Sequence, residues 1–358
     1  MSQKDNQHRF PQLDSLRGYA ALGVVLGHLF LTNGNYYILM QPKWFFVSGY
    51  ESVIMFFVLS GFVLTNNLLS MKYSACNFKQ LLCFYIRRYF RIYPVYYFAI
   101  LLSAILWLIA RPINIPEYST FFNTWSQANL NDDLLYHTLI LIDSTGNSLN
   151  PVVWTLVYEV TISIVFPFLF IFIKFFKRPM LICMLLIILS LKYTNGHSGV
   201  INGTLYYSQF FIWGIIARLY LNTFSRLFKS IFWFPVFLLS YASCYFFYHP
   251  DFIYSNPGVR DTLCAIGSFG IIIVSIANLN FSRIINNMFF RFLGKISYPL
   301  YICHLPILYF VTFISFGKIS LVFSDVIILV IVLLVSYLVH HLIEKRAINF
   351  SKSFVGKI

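Results

Sequence analysis

Charge is scarce in this chain. Asp, Glu, Lys and Arg make up 11% of its 358 residues, against roughly 25% in an ordinary soluble domain. A sequence that is 59% hydrophobic cannot cover a soluble globule with so few polar groups. This excludes a soluble globular enzyme and a disordered chain. Cysteine is sparse as well. Cys76, Cys83, Cys183, Cys244, Cys264 and Cys303 form no CxxC pair and no metal spacing, so they read as small apolar fillers rather than a disulfide scaffold. Also missing are HExxH, GxSxG, a Walker loop and a dinucleotide fingerprint, which leaves metal and nucleotide-fold chemistry without support. No resident metal or permanently bound cofactor is expected.

What the chain has is apolar length. About 211 apolar side chains are available, and ten bilayer spans of about 20 residues would use about 200 of them. The mean hydropathy of +0.73 agrees. The expected fold class is therefore all-α, a polytopic transmembrane helix bundle. Apolar windows predict helices near 12–32, 50–70, 82–110, 152–174, 180–193, 204–221, 230–248, 261–279, 292–315 and 322–343. The longest polar connection is 111–151. Within it, Leu134–Ile142 is expected as a short or re-entrant helix, and polar composition with Trp125 suggests a mouth for an acceptor.

The charge excess is one of sign: Lys plus Arg number 26 against 12 acids, a formal charge of +14. In a soluble protein this would suggest nucleic acid; here topology explains it, because cytoplasmic loops concentrate Lys and Arg. With the N-terminus inside and ten alternating spans, only Lys43, Arg111, Lys192, Arg260 and Lys318 fall outside, and the other 21 of the 26 basic residues fall inside. Both termini are thus expected in the cytoplasm. The chain reads as a single transmembrane domain, 1–358, with short tails near 1–11 and 345–358. No A-x-A cleavage site follows the first apolar segment, so it is expected to be retained as a span rather than cut as a signal peptide.

Ionisable groups inside a bilayer are costly and mark candidate sites. The first helix reads LDSLRGYAALGVVLGHLF and carries Arg17 and His28. Eleven residues at about 100° each bring them to within about 20° of one face, and the rise of about 1.5 Å per residue sets them ~16.5 Å apart along the axis. The competing readings are a satisfied buried imidazole for His28 and an interfacial snorkelling side chain for Arg17. In FYIRRYFRIYP, Arg88 and Arg91 stand at i, i+3 beside Arg87. Guanidinium forks of this kind bind phosphate; an ordinary basic flank on anionic lipid is the alternative. Glu159 is the only acid well within a predicted span, and is expected to be neutral or paired, with His28 or an arginine as its partner. Asp14, Glu51, Asp325 and Glu344 fall at span ends. In LGKISYPLYICHLPI, Ser297, Tyr298, Tyr301 and His304 follow 3–4 spacings and point toward one cavity. His340 and His341 read as interfacial.

In order along the chain, these segments resemble the acyltransferase type 3 family of integral membrane O-acyltransferases. The resemblance rests on Arg17 and His28 with ten residues between them, on FFVLSGFVL (Phe56–Leu64), on Arg88 and Arg91, on Trp154 and Glu159 five apart, on LGKISYPLYICH (Leu293–His304) and on Glu344-Lys345. Thr155 stands where the family often has serine, Val160 where a second acid is common, and Arg346 where proline often follows. The resemblance implies transfer of acetyl from cytoplasmic acetyl-CoA, a substrate and not a bound cofactor, onto a hydroxyl of an extracytoplasmic glycan. It implies a multi-pass protein of the bacterial cytoplasmic (inner) membrane. O-antigen or capsule is the expected acceptor, with peptidoglycan, an oligosaccharide or a small molecule as alternatives, and a secondary transporter as the rival of a different class. In that scheme His28 is the base on the glycan hydroxyl, or a transient acyl-enzyme carries the group across; Glu159 holds the histidine's tautomer or raises its basicity, and Arg17 works with them. Arg88, Arg91 and Arg87 take the CoA phosphates, and Ser60 or Ser297 donates to the oxyanion. With the chain ending soon after the last span, the extracytoplasmic esterase-like domain of some relatives is expected to be absent.

Overall fold

The computed structural model describes residues 10–32, 49–70, 78–130, 148–193, 199–243 and 257–356. Leu134–Ile142, residues 1–9 of the expected N-terminal tail, Cys76 and Cys244 lie outside the described residues. Among the described residues there are helices and no strands. In chain order they are α1 (Pro11–Thr32), α2 (Gly49–Ser70), α3 (Phe78–Ala110), the short α4 (Thr120–Asn123), α5 (Val153–Phe175), α6 (Pro179–Ser190) and α7 (Val200–Leu219). There follow α8 (Leu221–Leu227), α9 (Trp233–Tyr241), α10 (Pro257–Ala277), α11 (Leu279–Ile285), α12 (Met288–Ser315), α13 (Leu321–Val339) and α14 (Lys345–Val355).

Among the described residues, seven helices are long and apolar enough to cross a membrane, against ten predicted spans. The other three fall short for different reasons. The apolar run Pro179–Tyr193 is short. Helix α7 has the length, but Asn202, Tyr206, Tyr207, Gln209 and Arg218 make it more polar. The described part of α9 is only nine residues. Residues 345–355, expected as a tail, are helical and follow α13 through a π-helical turn, His340–Glu344. Helix starts differ from prediction where a charge sits inside the first turns: α12 begins at Met288 and runs through Arg291 and Lys295, and α10 begins at Pro257, before Arg260 and Asp261. The predicted spans began at 292 and 261, just after Arg291 and Arg260, whereas a helix needs only its backbone bonds.

The surface pattern is that of a protein in lipid. Along α13, Val322, Val326, Val330 and Leu334 form an exposed stripe at four-residue spacing, Val322 with 74% of its surface exposed, while Ser324, Ile328, Val332 and Ser336 are buried. Water would penalise so large an apolar face; a bilayer does not. Of the buried serines, Ser336 Oγ donates to Val332 O at 2.6 Å and Ser324 shares a 2.9 Å hydrogen bond with the Ser315 hydroxyl.

The chain packs into two compact units. The first takes described residues within 1–20, 48–80 and 158–294, the second those within 21–47, 81–157 and 295–358. In the first, small residues let backbones meet. A Cβ on Gly61 would stand 2.2 Å from Phe211 O, and one on Gly214 2.3 Å from Val58 O, so α2 and α7 cross in contact. Likewise Gly18 of α1 meets Gly294 of α12, whose Cβ would lie 2.0 Å from Asp14 O. Stacked Phe57 and Phe210, with ring centroids 6.2 Å apart, fill the adjoining core.

The second unit is held by side chains that replace missing helix bonds. Pro306 interrupts α12 and has no N–H to offer Ile302 O. Asn150 Nδ2 donates to that carbonyl at 3.0 Å. The segment between α3 and α4 folds back as a cap over the end of α1: Ser119 N donates to Thr32 O at 3.3 Å. Asn123 clamps the turn, its Oδ1 accepting from Ile115 N and its Nδ2 donating to Ile115 O, both at 2.9 Å. Ser119 also caps α4 by accepting from Phe122 N at 3.2 Å. Burial raises the Tyr118 phenol of this segment above its ordinary value, which keeps it neutral against Phe122, 4.6 Å between ring centroids.

Candidate active site

The second unit brings two of the predicted residues together. His28 stands one turn before the end of α1, and His304 lies in the middle of α12, 276 residues away in sequence. Their rings meet with His304 Nε2 3.0 Å from His28 Nδ1 and centroids 5.0 Å apart. Each ring also touches a backbone carbonyl: His28 Nδ1 lies 3.0 Å from Val24 O, and His304 Nδ1 lies 2.6 Å from Tyr301 O. His304 is fully buried, while His28 is half-buried. Phe121, from the short α4, stacks on the other side of His28 with centroids 5.4 Å apart and planes 19° from parallel.

Around the pair, Tyr301 and Thr155 share a hydrogen bond of 2.7 Å between their hydroxyls. Thr155 Oγ1 also donates to Val152 O at 3.1 Å. Tyr298 turns the other way, its hydroxyl donating to Ile92 O on α3 at 2.7 Å. Ser297 is buried on α12. On α3, Arg87 is exposed and Arg88 and Arg91 are half-buried, in the third and fourth turns of a helix that starts at Phe78.

The remaining predicted residues belong to the first unit. Arg17 is half-buried on α1, which runs unbroken from Pro11 to Thr32 and so carries both Arg17 and His28. Glu159 sits on α5 with Ser60 Oγ donating to its Oε1 at 3.5 Å, a long contact. The Ser60 proton is thereby aimed at a carboxylate.

Sequence reading set Glu159 apart as the one acid within a span. It is half-buried, whereas Glu51, Asp261 and Glu344 are buried. Asp261 gathers three donors: Tyr50 Oη at 2.5 Å, Tyr206 Oη at 2.7 Å and Arg260 Nε at 2.7 Å. The predicted span began at Asp261 and so treated it as a boundary. Glu344 pairs with His340 Nδ1 at 2.7 Å inside the π-helical turn.

Other site features had no signal in the sequence. Phe121 is one of 40 phenylalanines, and nothing local marks it. Trp125, the aromatic singled out in this connection, is buried beneath Tyr309 at 5.5 Å. Asn150 became visible only through the carbonyl that Pro306 leaves open. Among the described residues no three His, Cys, Asp or Glu side chains converge as metal ligands. Among the described residues Cys83, Cys183, Cys264 and Cys303 form no disulfide.

The second unit thus holds an imidazole pair with an aromatic wall beside it and three arginines on α3. The chain is 28% identical over 335 residues to an O-acetyltransferase OatA of Staphylococcus aureus, covering 84% of this chain and 51% of that one. It is 29% identical over 198 residues to the peptidoglycan O-acetyltransferase OatA of Listeria monocytogenes, covering 51% of this chain and 27% of that one. A putative peptidoglycan O-acetyltransferase, YrhL of Bacillus subtilis, is 29% identical over 181 residues, 47% of this chain and 25% of that one. The chain thus spans from about a quarter to about half the length of these curated relatives. No solved structure matches it. The family model described as an acyltransferase domain matches residues 10–341, and the chain belongs to that family, the type 3 acyltransferases that its motifs resemble.

Proposed function

We propose that the chain is a membrane O-acetyltransferase of the bacterial cytoplasmic membrane, moving acetyl from acetyl-CoA to a hydroxyl of a glycan outside the cytoplasm. The observation that carries this reading is His28: an imidazole in an apolar bundle, held by a second histidine and walled by Phe121, in a family of acyltransferases. A sugar hydroxyl is too weak a nucleophile to attack a thioester unaided near neutral pH, so the reaction needs a base. His28 takes the hydroxyl proton as the oxygen bonds to the thioester carbonyl carbon. Collapse of the tetrahedral intermediate breaks the C–S bond and expels CoA thiolate, which leaves as the thiol once protonated. Arg88 and Arg91, with Arg87 in support, take the donor's phosphates on the cytoplasmic side.

Relatives named as peptidoglycan O-acetyltransferases favour peptidoglycan as the acceptor. O-antigen and capsule are the polysaccharide alternatives. Mass spectrometry of envelope glycan fractions with and without the gene separates them. The expected result is a mass difference of one acetyl group per modified sugar in one fraction, lost in His28→Ala at normal protein level. Full acetylation by His28→Ala would overturn the base assignment. No acyl difference in any fraction, with transport of a solute instead, would favour the transporter reading.

A further inference from the structure

Two carbonyls bracket the histidine pair, and together they leave one arrangement of protons. A backbone carbonyl accepts hydrogen bonds and donates none. Tyr301 O, 2.6 Å from His304 Nδ1, therefore requires a proton on that nitrogen. In a neutral imidazole the other nitrogen, Nε2, is then bare and can only accept. Its neighbour is His28 Nδ1 at 3.0 Å, which must donate. Val24 O, also 3.0 Å from His28 Nδ1, independently asks for a proton on the same atom. With Nδ1 protonated, the lone pair of neutral His28 is on Nε2, for which no hydrogen bond exists among the described residues. The reverse tautomer would set a bare Nδ1 against a carbonyl oxygen, lone pair to lone pair, and would require protons on both nitrogens of His304.

From this geometry we infer that His304 is the positioning residue of the reaction, fixing His28 as the Nδ1–H tautomer so that Nε2 is the base. The inference rests on the assignment of His28 as base and gives the orienting role expected of Glu159 to a second imidazole. When His28 takes the hydroxyl proton on Nε2, its Nδ1–H becomes a charge-assisted donor to His304 Nε2 and Val24 O, and both bonds strengthen. His304 itself neither gains nor loses a proton. The turn of α12 that carries it is fixed for this task at two points: Asn150 holds Ile302 O at 3.0 Å, and Thr155 holds the Tyr301 hydroxyl at 2.7 Å.

The test uses full-length protein in proteoliposomes with acetyl-CoA and a glycan acceptor, reading kcat and KM separately. Three substitutions divide the functions of His304. In His304→Gln the side-chain oxygen occupies the place of Nε2 and keeps an acceptor for His28. In His304→Asn the amide is too short to reach His28 but keeps a polar group beside Tyr301 O. His304→Leu removes both. The expected result is a kcat lowered about 100-fold or more in the Asn and Leu variants, within the range of general-base catalysis. KM for acetyl-CoA stays unchanged, and Gln recovers at least tenfold of the loss. In a His28→Ala background, adding His304→Asn costs nothing further, because the residue acts only through His28. Equal activities for Gln and Asn, or a further loss in the His28→Ala background, would overturn the inference. If His304→Leu fails to fold, the Gln–Asn comparison still decides. If His28→Ala alone keeps full activity, it is the base assignment that has failed, and this outcome is distinct from the others.

Discussion

Asn150 offers the sharpest test of how the site is built. Its side chain is fully buried, its Nδ2 donates to Ile302 O at 3.0 Å, and its Oδ1 has no partner among the described residues. Substitution by leucine keeps the volume and removes both polar atoms. Ile302 O then becomes an orphan acceptor, a cost of about 1–3 kcal/mol, while loss of the unpartnered Oδ1 relieves a burden of similar size. Asn150→Leu alone is therefore expected to be close to neutral in stability. The informative step is the second substitution. Pro306→Ala supplies the missing N–H, which closes the ordinary helical bond to Ile302 O. In the wild-type background that carbonyl already has Asn150, so the new bond adds little beyond relief of the proline. In the Asn150→Leu background it rescues an orphan. Pro306→Ala should thus stabilise the Asn150→Leu protein by about 1–3 kcal/mol more than it stabilises the wild type. Thermal unfolding of all four proteins in one detergent, followed by tryptophan emission, measures this coupling as an excess shift of a few degrees. Shifts that simply add would refute the argument that Asn150 stands in for the N–H that Pro306 lacks.

Three further outcomes follow from the same geometry. Arg88→Ala and Arg91→Ala should each raise KM for acetyl-CoA about 10- to 100-fold, since hydrogen bonds to charged groups contribute about 1.5–3 kcal/mol. Lysine should restore little of the loss because it lacks the fork, and a KM unmoved by either alanine would remove these residues from the donor site. Phe121→Ala deletes the ring 5.4 Å from His28; a stacking contribution of about 0.5–1.5 kcal/mol predicts a two- to tenfold fall in kcat/KM, with Phe121→Tyr near wild type, and steady-state kinetics on both variants decides. Gly294→Val places a side chain where even a Cβ would lie 2.0 Å from Asp14 O, so detergent-extractable folded protein should fall sharply, whereas Gly317→Ala, with nothing within 4 Å, should cost only the strain of its positive φ.

Much of the helical order was legible because lipid imposes a simple rule. A span must be long, apolar and closed in its own hydrogen bonds, and α1 and α2 accordingly match the predicted 12–32 and 50–70 to within one residue. The rule fails where a helix does more than cross. Helix α12 carries Arg291 and Lys295 within its first two turns, and α10 buries Asp261 against Tyr50 and Tyr206. A window that stops at charge cannot see such a turn: Arg291 and Lys295 are accommodated by exposure, Asp261 by tyrosines of two other helices. Glu159 lies amid apolar neighbours in the sequence and is half-buried on α5, since position within a span does not say which way a helix turns its faces.

The site was legible as a set of costs and not as a geometry. A histidine in α1, another in α12, a proline in the interior of α12 and an asparagine at full burial are each unfavourable when taken singly. Local preference argues against every one of them. Together they cancel: the asparagine occupies the carbonyl opened by the proline, one histidine accepts from the other, and two backbone carbonyls take the protons that remain. Local rules broken in concert, with each break answered by another, mark function more surely than any single exception. The reciprocity also explains why the pairing escaped the sequence. Each residue's partner lies more than 150 positions away, and no periodicity of one helix carries information about the face of another.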